Sequence, residues 1–357
     1  MPAESAKRVA VVLFNLGGPD RPQATGPFLR NLFRDPAILR VPPFIRPFLA
    51  KRIARARVAP ATANYALLGG RSPLLELTRV QASALTAALP ELTVRCFIAM
   101  RYWHPLTDVT VQAVKAWRPD EVLLLPLYPQ YSSTTTGSSL TAWREHAARA
   151  GLAVSTRAIC CYPSQPGYVA SLTRAAKSLY RDKRRALPAT VPLRVLFSAH
   201  GLPESIVRRG DPYQWQIEQT VAAILSAWGD PDLDWVVCYQ SRATPQKWLG
   251  PSTDAEVERA AHDKTAVLVV PVAFVSEHSE TLVELDVEYR ALAERLGVPG
   301  YYRVPTPGTD PAFIEGLADL VRNGMARSTG LNSAAGGRIC AQEQRGCPCS
   351  EAICLVS

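Results

Sequence analysis

Two histidines stand at the ends of apolar runs. Residues 267–275 lead into Ser276-Glu277-His278-Ser279-Glu280-Thr281-Leu282-Val283-Glu284, and residues 193–197 lead into Ser198-Ala199-His200-Gly201-Leu202-Pro203. Short, nearly continuous apolar runs read as parallel strands buried on both faces. The residues just past the carboxyl ends of such strands form the ligand-binding edge of an open α/β sheet. Imidazole titrates near pH 6.5, so it can take a proton or bind a metal at neutral pH. Glu280 and Glu284 are four residues apart, so a helix puts them on one face, with Glu277 a turn earlier. Like charges at that spacing repel unless a cation or a proton comes between them. The plainer alternative, an acidic first turn facing the helix dipole, suits Glu277 better than the Glu280–Glu284 pair. Two imidazoles and three carboxylates suit a divalent first-row metal such as Fe²⁺, proton abstraction, or both in one site.

Elements must hold these groups. Strand-like runs fall at 9–14, 94–99, 122–127, 153–159, 193–197, 235–238, 266–272 and 301–304. The gaps between them leave room for crossover helices, and 165–187 and 283–296 have helical periodicity. The two halves echo each other: Val12-Leu13-Phe14 runs into Gly-Gly-Pro, Val195-Leu196-Phe197 into Ala-His-Gly-Leu-Pro, and the Pro-containing runs near 122 and 267 match. The expectation is an α/β protein of two Rossmann-like domains related by duplication. Each has a mainly four-stranded parallel sheet flanked by helices, and a ligand site lies between them. The expected boundaries are 1–160, 161–324, and a linker and cysteine-rich tail over 325–357; 325–337 is small, polar and Gly-rich.

Other segments narrow the ligand. Asn15-Leu16-Gly17-Gly18-Pro19 follows the first strand but lacks the spacing of a nucleotide loop, and no Walker-type motif occurs. Met100-Arg101-Tyr102-Trp103-His104-Pro105, Cys238-Tyr239-Gln240-Ser241-Arg242 and Trp248 bring aromatic, basic and hydroxyl groups to strand ends. Together they could line a flat apolar ligand with acidic substituents, although each aromatic alone suits a core. The 357 residues carry a formal charge of +9, part of it in 46–57 and 181–185. Without a nucleic-acid signature, that excess favours an anionic lipid surface or an acidic small molecule. Residues 42–57 are apolar, then basic; they could lie on a membrane surface or pack as an amphipathic helix on a domain. Neither an export signal nor a spanning segment is expected, which suggests a cytoplasmic protein. A homodimer is carried as an oligomeric alternative.

Eight cysteines fall into two sets. Cys96, Cys160, Cys161 and Cys238 sit in or beside apolar runs and read as small buried hydrophobes. Cys340, Cys347, Cys349 and Cys354 form C-x6-C-x-C-x4-C, four thiols that can hold an iron–sulfur cluster or zinc. The lack of paired C-x2-C motifs fits a cluster better than a zinc ribbon.

Five segments, taken in order, resemble the ferrochelatase family. They are Leu13-Phe14-Asn15-Leu16-Gly17-Gly18-Pro19, Leu127-Tyr128-Pro129-Gln130-Tyr131-Ser132, Ser198-Ala199-His200-Gly201-Leu202-Pro203, Cys238-Tyr239-Gln240-Ser241, and Ser276-Glu277-His278-Ser279-Glu280-Thr281-Leu282. The resemblance spans about residues 8–322. It implies insertion of Fe²⁺ into protoporphyrin IX to give protohaem, with the porphyrin between two Rossmann-like domains. It implies that His200 and Glu280 take the metal, and that Glu284 and Glu277 continue an acidic path. On the same basis Arg101 and Tyr102 face the other side of the macrocycle, Leu16 packs on it, and Ser241 and Trp248 hold its edge. The tail resembles the extension that holds a [2Fe–2S] cluster in some members, with Cys340, Cys347, Cys349 and Cys354 as ligands. Animal-type members take one ligand from the core where Ser133 stands here, so Cys340 becomes the candidate for that place. Arginines that follow the position of Tyr65 in those members are Ala66-Leu67 here, and Arg71 becomes the candidate propionate partner. The alternatives are a coproporphyrin-preferring or cobalt-type tetrapyrrole chelatase, a non-catalytic porphyrin carrier, and a redox sensor working through the tail. The resemblance and the hydrophobic 42–49 stretch favour protoporphyrin and a peripheral position at the inner face of a membrane.

Overall fold

The structure, a computed structural model, describes residues 7–241 and 246–350. The chain divides into two compact units. The first holds the chain up to Tyr162, then Leu317–Ile339 and the chain from Cys347; the second holds Pro163–Gly316 and Cys340–Gly346.

The first unit is built on β1 (Arg8–Asn15), β2 (Thr93–Met100), β3 (Glu121–Pro126) and β4 (Ser155–Ile159). The second is built on β5 (Leu193–His200), β6 (Trp235–Gln240), β7 (Ala266–Pro271) and β8 (Tyr301–Arg303). All pairings are parallel, and the orders β2-β1-β3-β4 and β6-β5-β7-β8 are the same arrangement twice. The internal echo in the sequence is thus an echo of topology. In each sheet the first strand is central and buried along its length, as the apolar runs require. Each fully buried Val, Leu or Phe there contributes about 1.5–3 kcal/mol relative to exposure, which pins the strand ends where the polar residues begin.

The 325–337 stretch departs from the linker expectation. The helix Pro311–Met325 runs to its start, and β9 (Gly330–Asn332) then pairs parallel with β4 as a fifth strand of the first sheet. Three residues containing Gly and Asn carry almost no strand propensity, so the main-chain ladder and the packing of Leu331 on the core make this element. The chain continues to bond with the core after β9, from Ala334 N to the Cys161 carbonyl at 3.0 Å.

Candidate functional site

In the second unit the site begins at the carboxyl end of β5. The strand runs three residues beyond its apolar stretch, so His200 is its last residue, paired in register with Gln240 of β6. Gly201 follows because nothing larger fits: a Cβ there would lie 2.7 Å from the Gln240 carbonyl oxygen and 3.3 Å from the Trp248 ring. The His200 main chain accepts a hydrogen bond from Tyr213 Oη at 3.0 Å. Its Nδ1 lies 2.5 Å from the Gly201 carbonyl oxygen. A carbonyl can only accept, so Nδ1 carries the hydrogen and neutral His200 presents its lone pair on Nε2.

Facing it is a π-helix, Glu280–Tyr289, continued by an α-helix over Arg290–Leu296. The sequence period suggested one α-helix starting at 283; the observed element starts at Glu280 with wider turns. Wide turns of this kind concentrate at functional sites. Glu280 and Glu284 still share a side, since four residues nearly complete a turn of either helix. The helix start is tied down by buried Thr281, whose hydroxyl accepts from His278 N at 3.0 Å and donates to the His278 carbonyl at 3.1 Å.

Glu280 lies between two imidazoles. Its Oε1 is 3.6 Å from His200 Nε2 and its Oε2 is 3.5 Å from His278 Nε2. Burial alone would raise its pKa, but the positive charge available on His200 and His278 brings it down to about 2. It is therefore a carboxylate throughout the physiological range. His278 rests against Phe274, ring centroids 4.8 Å apart, and its buried Nδ1 has no hydrogen-bond partner among the described residues.

Glu284 has the opposite character. It accepts from Ser241 Oγ, from Gln240 Nε2 at 3.1 Å and from Tyr289 Oη at 3.4 Å, yet burial and then the Glu280 charge push its pKa up. A carboxyl whose folded pKa is raised adds stability below its unfolded value of about 4.3 and loses it as pH rises through the folded pKa. Glu284→Gln is accordingly expected to melt higher than the parent at pH 8, the gain vanishing below about pH 4. Melting curves of the two proteins across pH check this; a lower melting temperature for the variant at pH 8 would contradict it.

Glu277, expected in the acidic path, is committed elsewhere. Arg303 Nη1 donates to its Oε1 at 2.8 Å and Oε2 at 3.1 Å, and Thr306 N donates to Oε1 at 2.9 Å. Arg303 also bridges to Asp286 at 2.5 Å. Burial disfavours the Glu277 charge, but Arg303 outweighs that and lowers its pKa. A carboxylate held by a guanidinium is a poor base, so Glu277 closes a structural ion pair. Ser241 and Trp248, in contrast, do belong to this cluster: Ser241 on Glu284, Trp248 against Gly201.

The first unit carries the remaining expected residues at the ends of β1 and β2. Leu16 takes a hydrogen bond on its carbonyl from Tyr102 N at 3.0 Å. Gly17 adopts φ +84°, and a Cβ there would press on Trp103 N at 3.0 Å. Arg71 is exposed and follows Gly70; Ser72 N donates to the Pro19 carbonyl at 2.7 Å, which places Arg71 beside the same loop. Arg101 is held by Asp35, with Nη2 at 2.8 Å from Oδ2, and its Nε donates to Ser138 Oγ at 2.6 Å. Tyr102 is 1% exposed, with its hydroxyl donating to Asp35 Oδ2 at 2.8 Å. Tyr102 thus anchors Arg101's partner. Sequence reasoning missed Asp35, although it is the sole acid between Asp20 and Glu76, inside a strongly basic stretch.

The ferrochelatase family model matches residues 8–325. The chain belongs to the ferrochelatase family. The ferrochelatase of Caulobacter vibrioides is 51% identical over 97% of this chain and 98% of its own length. That of Hyphomonas neptunium is 48% identical over 97% of this chain and 96% of its own. The solved structure of SirB from Bacillus subtilis with Fe³⁺ shares the fold, with a TM-score of 0.50 at 13% identity, covering 90% of this chain and 96% of that one.

One further cluster in this ferrochelatase-family chain involves sulfur. Cys160 and Cys161, read from sequence as inert core residues, follow β4 and meet the tail. Cys160 Sγ lies 3.3 Å from Cys161 Sγ and 3.4 Å from Cys349 Sγ. Cys161 and Cys349 contacts raise the Cys160 thiol's pKa, as does burial. The Cys160 contact lowers that of Cys349, but Cys347 and burial prevail and push it up to about 12. In the second unit Cys340 is buried and accepts from Gln216 Nε2 at 3.2 Å. Cys354 lies outside the described residues. Ser133, at the place of the animal-type ligand, instead accepts from Arg40 at 3.3 Å. The adjacency of two cysteines just past a strand end was the available signal.

Proposed function

We propose that the protein inserts Fe²⁺ into protoporphyrin IX to form protohaem, releasing two protons, as the closing step of haem synthesis. The observation that carries this reading is the Glu280 carboxylate set between the Nε2 atoms of His200 and His278. Fe²⁺ is the substrate, and His200 Nε2 with Glu280 Oε1 forms its receiving pair. Donors 3.6 Å apart can both lie about 2.1 Å from one first-row ion. Insertion requires two pyrrole N–H protons to leave. Once the metal has passed to the ring, the His200 Nε2 lone pair can take one proton, and Glu284, whose pKa is raised by burial and the Glu280 charge, can take the other. In the first unit Leu16, Arg101 and Tyr102 are assigned to the face of the ring and Arg71 to a propionate; in the second, Ser241 and Trp248 are assigned to the ring's edge. A guanidinium already neutralised by Asp35 provides direction without the affinity of a free cation.

The test is an anaerobic assay of the purified protein with Fe²⁺ and either protoporphyrin IX or coproporphyrin III. Faster conversion of protoporphyrin to the metalloporphyrin spectrum is the expected result. Preference for coproporphyrin would move the substrate assignment, and tight binding without conversion would indicate a carrier.

The tail is assigned a [2Fe–2S] cluster, a one-electron carrier when bound, with Cys160, Cys347 and Cys349 of the first unit among its ligands. Among the described residues no ready-made metal group of three or more His, Cys, Asp or Glu is found. The thiols nevertheless fit: thiolates about 2.3 Å from a tetrahedral ion stand about 3.8 Å apart, close to the 3.4 Å contact of Cys160 with Cys349.

Peripheral membrane binding is assigned to the start of the helix Arg46–Ala66. Ala50 and Ala54 pack inward, while Phe44 and Phe48 are 76% and 78% exposed beside Lys51, Arg52 and Arg55. Exposed aromatics beside cations suit an anionic lipid surface. Among the described residues no helix is long and apolar enough to cross a membrane. Replacing Phe44 and Phe48 by Ser is expected to weaken binding to phosphatidylserine-containing vesicles by about tenfold or more. Equal sedimentation of both proteins with such vesicles would contradict this.

A further inference from the structure

Gln240, the last residue of β6, is fully buried and uses every polar atom of its side chain. Its Nε2 donates to the Glu280 carbonyl at 2.9 Å and to Glu284 Oε2 at 3.1 Å. Its Oε1 accepts from Ser198 Oγ at 2.9 Å, one register step before His200's neighbour Ala199. Its main-chain oxygen accepts from Gly201 N at 2.7 Å. One residue therefore bonds to the main chain of Glu280 and to that of Gly201, the residue that follows His200. Through Gly201 N it holds the His200–Gly201 peptide, next to the Gly201 carbonyl that meets the His200 ring. Through its carboxamide it holds the first turn of the π-helix at Glu280.

We infer that Gln240 is the positioning residue that sets the separation of His200 Nε2 and Glu280 Oε1, and so the affinity of the site for its metal. The inference rests on the reading that this pair receives Fe²⁺. Ser198 gives the carboxamide its orientation: an oxygen that accepts from a hydroxyl must leave the NH₂ facing the helix. The helix end of this link is specific. Glu280 main chain and Glu284 side chain are both acceptors, and only a residue with two hydrogens on one atom serves both. Glutamate at this position would keep the shape, lose both donors and set a carboxyl against Glu284. Methionine would keep the approximate volume and lose the polar atoms altogether.

The test compares Gln240→Met and Gln240→Glu with the parent on three readings: melting temperature, protoporphyrin affinity by fluorescence quenching, and Zn²⁺ affinity by calorimetry without porphyrin. Removing a group that supports a metal ligand costs roughly 10–100-fold in metal affinity. Both variants are expected to bind Zn²⁺ at least tenfold more weakly, to show a raised KM for Fe²⁺, and to keep porphyrin affinity within about twofold. A variant that melts lower yet binds Zn²⁺ like the parent would make Gln240 a structural residue only and overturn the inference. Should neither variant fold, Ser198→Ala, which removes only the orienting hydroxyl, is expected to show the same split with a smaller change; unchanged Zn²⁺ affinity there would also overturn it. A parent that binds Zn²⁺ at this site but converts no porphyrin would remove the insertion reading while leaving the positioning role measurable. Loss of Zn²⁺ affinity in His200→Ala, in the same experiment, confirms that the site being read is this one.

Discussion

Glu280→Gln is expected to fold and bind porphyrin normally but to insert Fe²⁺ about a thousandfold more slowly, within the range for losing a group that acts in the transition state. The substitution keeps the shape and removes the charge. That charge is secure in the parent because the imidazoles hold the Glu280 pKa near 2, against burial. The amide can neither act as an anionic ligand nor balance a positively charged His200 or His278. The loss should appear in kcat and in KM for Fe²⁺ rather than in KM for porphyrin. Steady-state kinetics under argon, with melting and porphyrin titrations as controls, make the measurement; turnover within about threefold of the parent would remove Glu280 from the site. The lowered pKa also fixes a sign. Glu280's ionic contribution to stability is complete above its unfolded pKa of about 4.3 and is lost as pH falls from there towards 2, so it cannot account for any activity change near neutrality.

Cys349→Ser and Cys160→Ser are each expected to abolish the visible absorption of the anaerobically purified protein, whereas Cys354→Ser keeps it. The resemblance of the tail assigned all four ligands to the last eighteen residues. The sulfur contacts of Cys160 bring a core thiol into competition for the fourth place. Thiols this buried carry high pKa values, so they resist ionisation until a cation compensates the charge; loss of one ligand leaves the others protonated. A colourless Cys354→Ser with a coloured Cys160→Ser would restore the tail-only ligand set.

The strands were readable because their apolar runs are continuous and burial is their cause; the duplicated topology was readable because the same runs recur in order. His200, Glu280 and Glu284 were readable because reactive side chains stood at run ends. What the sequence did not disclose depends on distant partners. Arg303 lies 26 residues from Glu277, and its hold on that carboxylate has no local signature. Asp35 meets Arg101 across 66 positions, found by folding alone, and Tyr102's hydroxyl turns inward to the same acid. The π-helix escaped because α and π turns share the i,i+4 face. β9 escaped because a three-residue strand made of Gly, Leu and Asn has no pattern to read.

The central claim is that iron enters between His200 and Glu280. The most direct measurement is anomalous diffraction at the iron edge from crystals of the protein soaked anaerobically in Fe²⁺. The account predicts a peak about 2 Å from both His200 Nε2 and Glu280 Oε1. A peak instead in the first unit, at Arg101 and Tyr102, with none at His200, would contradict it.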